Sequence, residues 1–276
     1  MTVLSDFHIH PSYSIDGSGT IRQYCDRALE LGIRHICFTT HYDSNPRRVE
    51  QDAYWRENGE RVRMSDSLLE KYLNEIGSAQ EFFAEFGLHI YKGLEIDFYP
   101  GAEKEAERVR QNFPLDFVIG SVHCLEDIGI SDKNEAPSYF NRKTLDQMVD
   151  ETISLQIQAA ECGLFDAIGH LDYYARYARQ FYGDSIDSVE PERFDPLFKA
   201  LKMKNIGIEL NTSPFRYGIN GFHPAERILE RAIAQGVTIS SVGSDSHKVR
   251  SFALGIDEAL AFLDKHNITP TFPRIS

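Results

Sequence analysis

Residues 3–10, VLSDFHIH, form an apolar run that closes on two imidazoles, His8 and His10. Side chains alternate along an extended chain, so a spacing of two sets both rings on one face. The same design recurs down the sequence. HICFTTH (35–41) ends on His41, HIYKGLE (89–95) on Glu95, FVIGSVH (117–123) on His123, and FDAIGH (165–170) on His170. ISSVGSDSH (239–247) ends on Asp245 and His247, and Asp16 follows the first run. A barrel of parallel strands brings the C-terminal ends of its strands to one rim, where residues distant in sequence meet.

Taken singly, each of these residues has an ordinary reading: a surface histidine pair, a solvated aspartate, a capping group. Glu95 is harder to dismiss, because a carboxylate closing an apolar strand needs a cation or a hydrogen-bonded partner if it is buried. Jointly the nine groups point to one cluster. Six imidazoles and three carboxylates exceed what one four-coordinate ion uses, so two or three divalent ions and metal-dependent hydrolysis are expected. Imidazole and carboxylate without thiolate suit zinc, manganese or iron(II).

Between the runs, amphipathic segments read as helices. Thr20 is placed to cap a helix whose Ile21, Tyr24, Ala28 and Leu31 share a face, with Gly32 as its stop. Further helices are expected over 65–87, 104–111, 144–163, 194–204, 224–236 and 257–266. Seven strands in alternation with about seven helices predict an α/β fold, a TIM-like barrel of parallel strands. Two stretches are too long for simple connectors, 42–63 and 125–141; the first is a candidate lid. His35 and His89 stand at strand beginnings, on the wrong rim, and His266 ends the last helix; structural roles are expected for all three. His223 lies in a rim loop, where it is a candidate for contact with substrate. No linker or repeat divides the chain, so one domain over 1–276 is expected.

Composition narrows the function classes. No run approaches the roughly 18 apolar residues of a membrane span, and the N-terminus lacks a signal-peptide pattern, so a cytoplasmic location is expected. A formal net charge of −13 argues against a broad nucleic-acid-binding surface, which needs a basic footprint. Cys25, Cys37, Cys124 and Cys162 form no paired motif and read as reduced thiols. Cys124 follows His123 directly, and strand alternation would turn it away from the cluster.

FHIH (7–10) with Asp16, TTH (39–41), GLE (93–95), GSVH (120–123), GHLD (169–172) and GSDSH (243–247) together resemble the PHP (polymerase and histidinol phosphatase) family of metal-dependent phosphoesterases. The resemblance spans essentially the whole chain and implies a distorted (β/α)7 barrel with up to three metals at the C-terminal rim. By position it implies that His8, His10, Glu95 and Asp245 hold one ion. Glu95 would bridge to a second held by His123 and His170, and Asp16, His41 and His247 would hold a third. Catalysis would centre on Glu95, His123, Asp245 and His247.

Within the family, GLEIDFYPG (93–101), AAECGLFDAIGHLD (159–172) and IELNTSPFRYG (208–218) are most similar to the monofunctional histidinol-phosphatases. That likeness implies a small phosphorylated substrate gripped by Arg176 and Arg216, with a metal-activated water as nucleophile. Two positions depart from the pattern: Thr40 replaces the acidic residue common before His41, and Tyr173, Tyr174 and Tyr177 form an unusually aromatic segment. The alternatives are a phosphoesterase for a nucleotide or sugar phosphate, a nucleic-acid-processing module, and a metal-binding regulator without turnover.

Overall fold

The apolar runs become strands because both of their faces find cover. The computed structural model describes residues 4–272, and in it seven parallel strands lie side by side in chain order. They are β1 (Ser5–Ile9), β2 (His35–Tyr42), β3 (His89–Asp97), β4 (Phe117–Ser121), β5 (Ala167–Ile168), β6 (Gly207–Asn211) and β7 (Ile239–Gly243). Val3, read with the first strand, lies outside the described residues, as does 273–276. The longest helix after each strand is, in turn, α1 (Ile21–Leu31), α2 (Asp66–Phe83), α3 (Glu103–Asn112), α4 (Leu145–Cys162), α5 (Asp195–Lys204), α6 (Glu226–Ala234) and α7 (Ile256–Lys265). The sheet curls into a nearly closed barrel. Outward residues such as Ile36, Leu94, Val118 and Ile208 pack in the main core with residues of these helices.

Inward positions follow the period of two and sort themselves into storeys, except in β1, where a register shift between Asp6 and Ile9 lets both Phe7 and His8 face inward. At the bottom Phe7, Cys37, Tyr91 and Phe117 form an apolar plug, closed from below by Phe272. Two steps further along their strands stand Thr39 and Gly93, and two further again His41 and Glu95. The polar site therefore rests on a dry floor, which keeps water from approaching it through the barrel axis.

Closure falls between β1 and β7. The Ile9–Ser246 bridge is carried by His10 N–H to Ser246 O at 2.8 Å and Ser246 N–H to His8 O at 3.1 Å. Buried Asp6 sutures the same seam. One oxygen accepts the N–H groups of His8 and Ser244, and the other accepts the Ser244 hydroxyl and the Ala253 N–H. Gly243 is required here, since a Cβ at that position would sit 2.4 Å from His8 Cβ and 2.5 Å from Glu209 Oε1.

The helix signals read in sequence are present: Thr20 forms a capping box with Gln23, and Gly32 ends α1 with φ 73°. Leu31, counted with the buried face, is instead 40% exposed, because it lies on the final turn beyond the packed stripe. His35 and His89 pair in register at the N-terminal rim, with rings stacked 4.5 Å apart.

The two long connectors carry more structure than a loop. The first holds a hairpin, Tyr54–Glu57 with Glu60–Arg63, turned by Asn58 and Gly59, both at positive φ. Asn-Gly is the residue pair such a two-residue turn demands. The second holds a ribbon, Cys124–Leu125 with Ile128–Gly129, and a short helix, Ala136–Phe140. Arg48 ties the two together, reaching Glu135 and the Asp127 carbonyl from one insertion to the other.

Burial raises the Asp6 carboxyl to about 6. A folded value above the unfolded 3.8 means that the stability linked to this proton is greatest below pH 4 and declines as pH rises towards 6. Asp6→Ala orphans three N–H groups and a hydroxyl, and should cost about 2–4 kcal/mol in urea unfolding of the metal-free protein. That cost should be larger at pH 4 than at pH 7.5.

Candidate metal centre

Glu95 stands at the centre of the rim, 1% exposed, on the fourth inward step of β3. Its two oxygens face different company. His41 Nδ1, His8 Nε2 and His10 Nε2 lie 3.0, 3.2 and 3.4 Å from Oε2. His170 Nε2 and His123 Nε2 lie 2.9 and 3.3 Å from Oε1, which also accepts the Ser121 hydroxyl at 2.6 Å. His8 Nε2, His10 Nε2, His41 Nδ1 and Glu95 Oε2 are buried, yet none of them makes a hydrogen bond. Four orphaned polar atoms aimed at one another would be costly in a finished core. They fit a divalent ion well, since each is an unshielded ligand atom.

The other carboxylates complete the ring. Asp245 Oδ1 lies 3.6 Å from His10 Nε2 and 3.3 Å from His247 Nδ1. Asp16 Oδ2 lies 3.0 Å from His247 Nε2 and 3.8 Å from His41 Nε2. All nine residues read from the sequence thus meet at one mouth. Four overlapping groups have ligand atoms all within 4.8 Å of one another: His8–His10–Asp245, His8–Glu95–His170, His41–Glu95–His123 and His10–His41–His247. The first contains three of the four ligands expected for one ion, without Glu95. The others divide the ligands differently from the expected sets, with His41 turned towards Glu95 and Asp16 outside all four groups.

Electrostatics follow from this crowding. Burial opposes ionisation of Glu95, but His8, His123 and His41 hold it well below the usual carboxylate range. Burial likewise opposes charge on His41 and His123, and Glu95 outweighs it, pushing them up to about 10 and about 9. Burial and the neighbouring His41 and His247 rings push His10 well down. Without metal, shared protons hold the cluster together.

Several supporting residues escaped the sequence reading. Glu209, fully buried on β6, accepts His8 Nδ1–H at 2.6 Å and the His170 N–H at 3.2 Å. It fixes the His8 tautomer and leaves Nε2 free for an ion. The signal was present: a carboxylate inside the apolar IGIELN run poses the same burial problem as Glu95. Asp97 orients the His123 segment through its N–H at 2.7 Å. Thr40 is buried with its hydroxyl unpartnered, and His41 is instead anchored through its carbonyl, which accepts Trp55 Nε1–H. Cys124 lines the cavity, contrary to the alternation argument. β4 ends at Ser121, so the period of two no longer governs. Among the described residues it belongs to no metal-capable group.

The ring opens into a cavity of about 620 Å³ lined also by Arg176, Arg216, Asp43, Asp132, Lys248 and Arg250. Arg216 already has partners: Asp245 Oδ2 at 3.2 Å, the Asp245 carbonyl, and His247 Nδ1 at 2.9 Å. Arg176 pairs with no carboxylate among the described residues; it lies over the Tyr173, Tyr177 and Tyr217 rings and donates to the Tyr173 hydroxyl. His223 does not line this cavity. It donates Nδ1–H to Asp172 at 2.6 Å and borders a neighbouring space.

The PHP domain model matches residues 6–213. The chain belongs to the PHP family. The match stops short of Arg216, Asp245 and His247, which the fold returns to the same rim. A Deinococcus radiodurans protein named "Probable histidinol-phosphatase" is 33% identical over 253 residues, covering 90% of this chain and 88% of that one. The histidinol-phosphatase of Lactococcus lactis is 27% identical over 263 residues, covering 94% and 90%. The crystal structure of a histidinol phosphate phosphatase from that organism, complexed with zinc, L-histidinol and phosphate, superposes with TM-score 0.74 at 24% identity. It covers 96% of this chain and 94% of that one, and it shares the fold of this PHP protein.

Zinc binding to the metal-free protein at pH 7 should release one proton from each of His41 and His123, because a ligating imidazole must be neutral. Calorimetry in buffers of different ionisation enthalpy reads this directly, and release should fade above about pH 10. Glu95→Gln should lower occupancy at two positions together in metal analysis. Glu209→Gln should leave the ligand count intact while weakening zinc affinity by about 10–100-fold.

Proposed function

We propose that this PHP protein is a metal-dependent phosphomonoesterase, a histidinol-phosphatase that converts histidinol phosphate and water to histidinol and phosphate from a single barrel domain. The observation that carries the reading is the presence in one cavity of the orphaned ligand ring and of Arg176, a guanidinium that no carboxylate neutralises. The family membership and the histidinol-phosphatase names of relatives that cover nine-tenths of the chain support it. Among the described residues no helix is long and apolar enough to cross a membrane.

In this reading His8, His10, Asp16, His41, Glu95, His123, His170, Asp245 and His247 hold two or three divalent ions of zinc, manganese or iron. The bound ions would supply Lewis acidity for the phosphoryl oxygens and an activated water. The chain itself does the rest. Arg176 offers a planar fork of N–H donors to the phosphate, a geometry lysine cannot reproduce. Arg216 acts at one remove, steadying Asp245 and His247 while facing the same space. Asp132 sets a carboxylate on the cavity wall, which favours a leaving group carrying an ammonium, as histidinol does, over a neutral sugar.

Phosphate release from histidinol phosphate, a sugar phosphate and a nucleoside monophosphate, with protein of known metal content, tests the substrate. Preference for either of the last two would overturn the assignment. Arg176→Ala should lower kcat/KM by about one to two powers of ten, the loss of one charge-assisted contact, with metal content unchanged. Arg216→Ala should lower kcat/KM and metal content together, since it also strips Asp245 and His247 of their partner.

A further inference from the structure

Beside the cavity that holds the ligand ring lies a second chamber of about 660 Å³, bordered by segments 172–189 and 213–228. Its walls are largely rings and aliphatic chains, among them Tyr174, Val189, Ile219 and Phe222. Two polar groups interrupt them. Ser213 is 1% exposed, and its hydroxyl has no hydrogen-bond partner. His223 gives its Nδ1–H to Asp172, which leaves Nε2 as the ring atom available to a ligand, an acceptor in the neutral tautomer. The charges lining the chamber balance in number, Asp172, Asp187 and Glu226 against Arg176, Arg179 and Arg227, and Arg179 is paired to Asp187 at 2.6 Å. Tyr173, Arg176 and Tyr217 line both this chamber and the ligand-ring cavity and form the wall between them.

Apolar walls with a few placed polar groups are the usual form of a small-molecule site. Aromatic walls favour a flat ring. The His223 lone pair and the free Ser213 hydroxyl select a ring with an N–H or O–H at its edge. Balanced edge charges give an ion no advantage. We propose that the chamber is a second small-molecule site for a neutral planar aromatic or heteroaromatic ring bearing such a donor, and that it is coupled to phosphate binding through Arg176.

The coupling, unlike the site itself, rests on the phosphate role proposed for Arg176. In this structure its guanidinium lies 4.6 Å from the Tyr217 ring centroid and 4.8 Å from that of Tyr177. Turning to a phosphate vacates those faces, and a ring in the chamber gains stacking surface. The two ligands therefore assist one another, and linkage makes the assistance reciprocal.

Phenol is the probe, followed by ligand-observed NMR on the zinc-loaded protein with and without saturating inorganic phosphate. We expect millimolar binding that tightens about fivefold when phosphate is present. Ile219→Trp fills the chamber from a position 60% exposed, and should weaken phenol at least about tenfold while phosphate still binds. Val189→Trp provides a second filling variant. Arg176→Ala should keep phenol binding and lose the phosphate effect. No phenol binding, phenol displaced by phosphate, or binding unaltered in both filling variants would overturn the site. Phenol binding indifferent to phosphate would overturn the coupling alone and leave the phosphatase reading to its own substrate test.

Discussion

A single carboxylate with almost no access to water governs this molecule. Glu95 is placed deep in a barrel because β3 is long, apolar and central, and the same placement denies it solvent. An isolated buried charge of that kind is expensive. Five imidazoles surround it within 3.4 Å, and their pKa directions show what happens when nothing else is present: His41 and His123 take up protons to match it, and His8 is pushed up by Glu209 and Glu95 together. Divalent ions solve the same problem with more charge and stronger directionality. Metal ring, protonated histidines and dry floor are thus three responses to one constraint.

Support for that ring radiates outward in ordered steps. Glu209 sets the His8 tautomer, Asn211 donates to Glu209, and Gly243 leaves room for His8 and Glu209. Arg216 plays a comparable part on the opposite side, through Asp245 and His247. The rim insertions add the last layer. Arg48, buried between Asp52 and Glu135, joins them into one wall, so neither insertion can shift freely against the other.

Much of this was legible in the sequence, for a physical reason. Parallel strands buried on both faces read as apolar runs, and a period of two fixes which residues at their ends face inward. Ligand identity and barrel topology followed from those facts. Reading failed where the regular period stopped. Cys124 lies beyond the end of β4 and lines the cavity that alternation would have denied it. The hairpin of 54–63 was announced by Asn58-Gly59, yet its strands are polar and escaped a search for apolar runs. Glu209 was visible as a charge in an apolar strand, but only the partner across the barrel reveals what it serves. Which ligands share an ion depends on distances of tenths of an ångström, and sequence carries no such information.

The seam between β1 and β7 has a bearing on how the molecule comes into being. Its ligands lie far apart in sequence: His8 and His10 emerge from the ribosome well before Asp245 and His247. A group such as His8, His10 and Asp245 therefore has no existence until the seventh strand has been made. Joining the seam means closing a loop that takes in every other strand of the barrel, and that loss of freedom must be met before the contacts reward it. An ion bound across the seam then acts as a clasp. It secures the most entropically demanding pairing in the fold, and it registers, by its presence, that the whole circle of strands is complete.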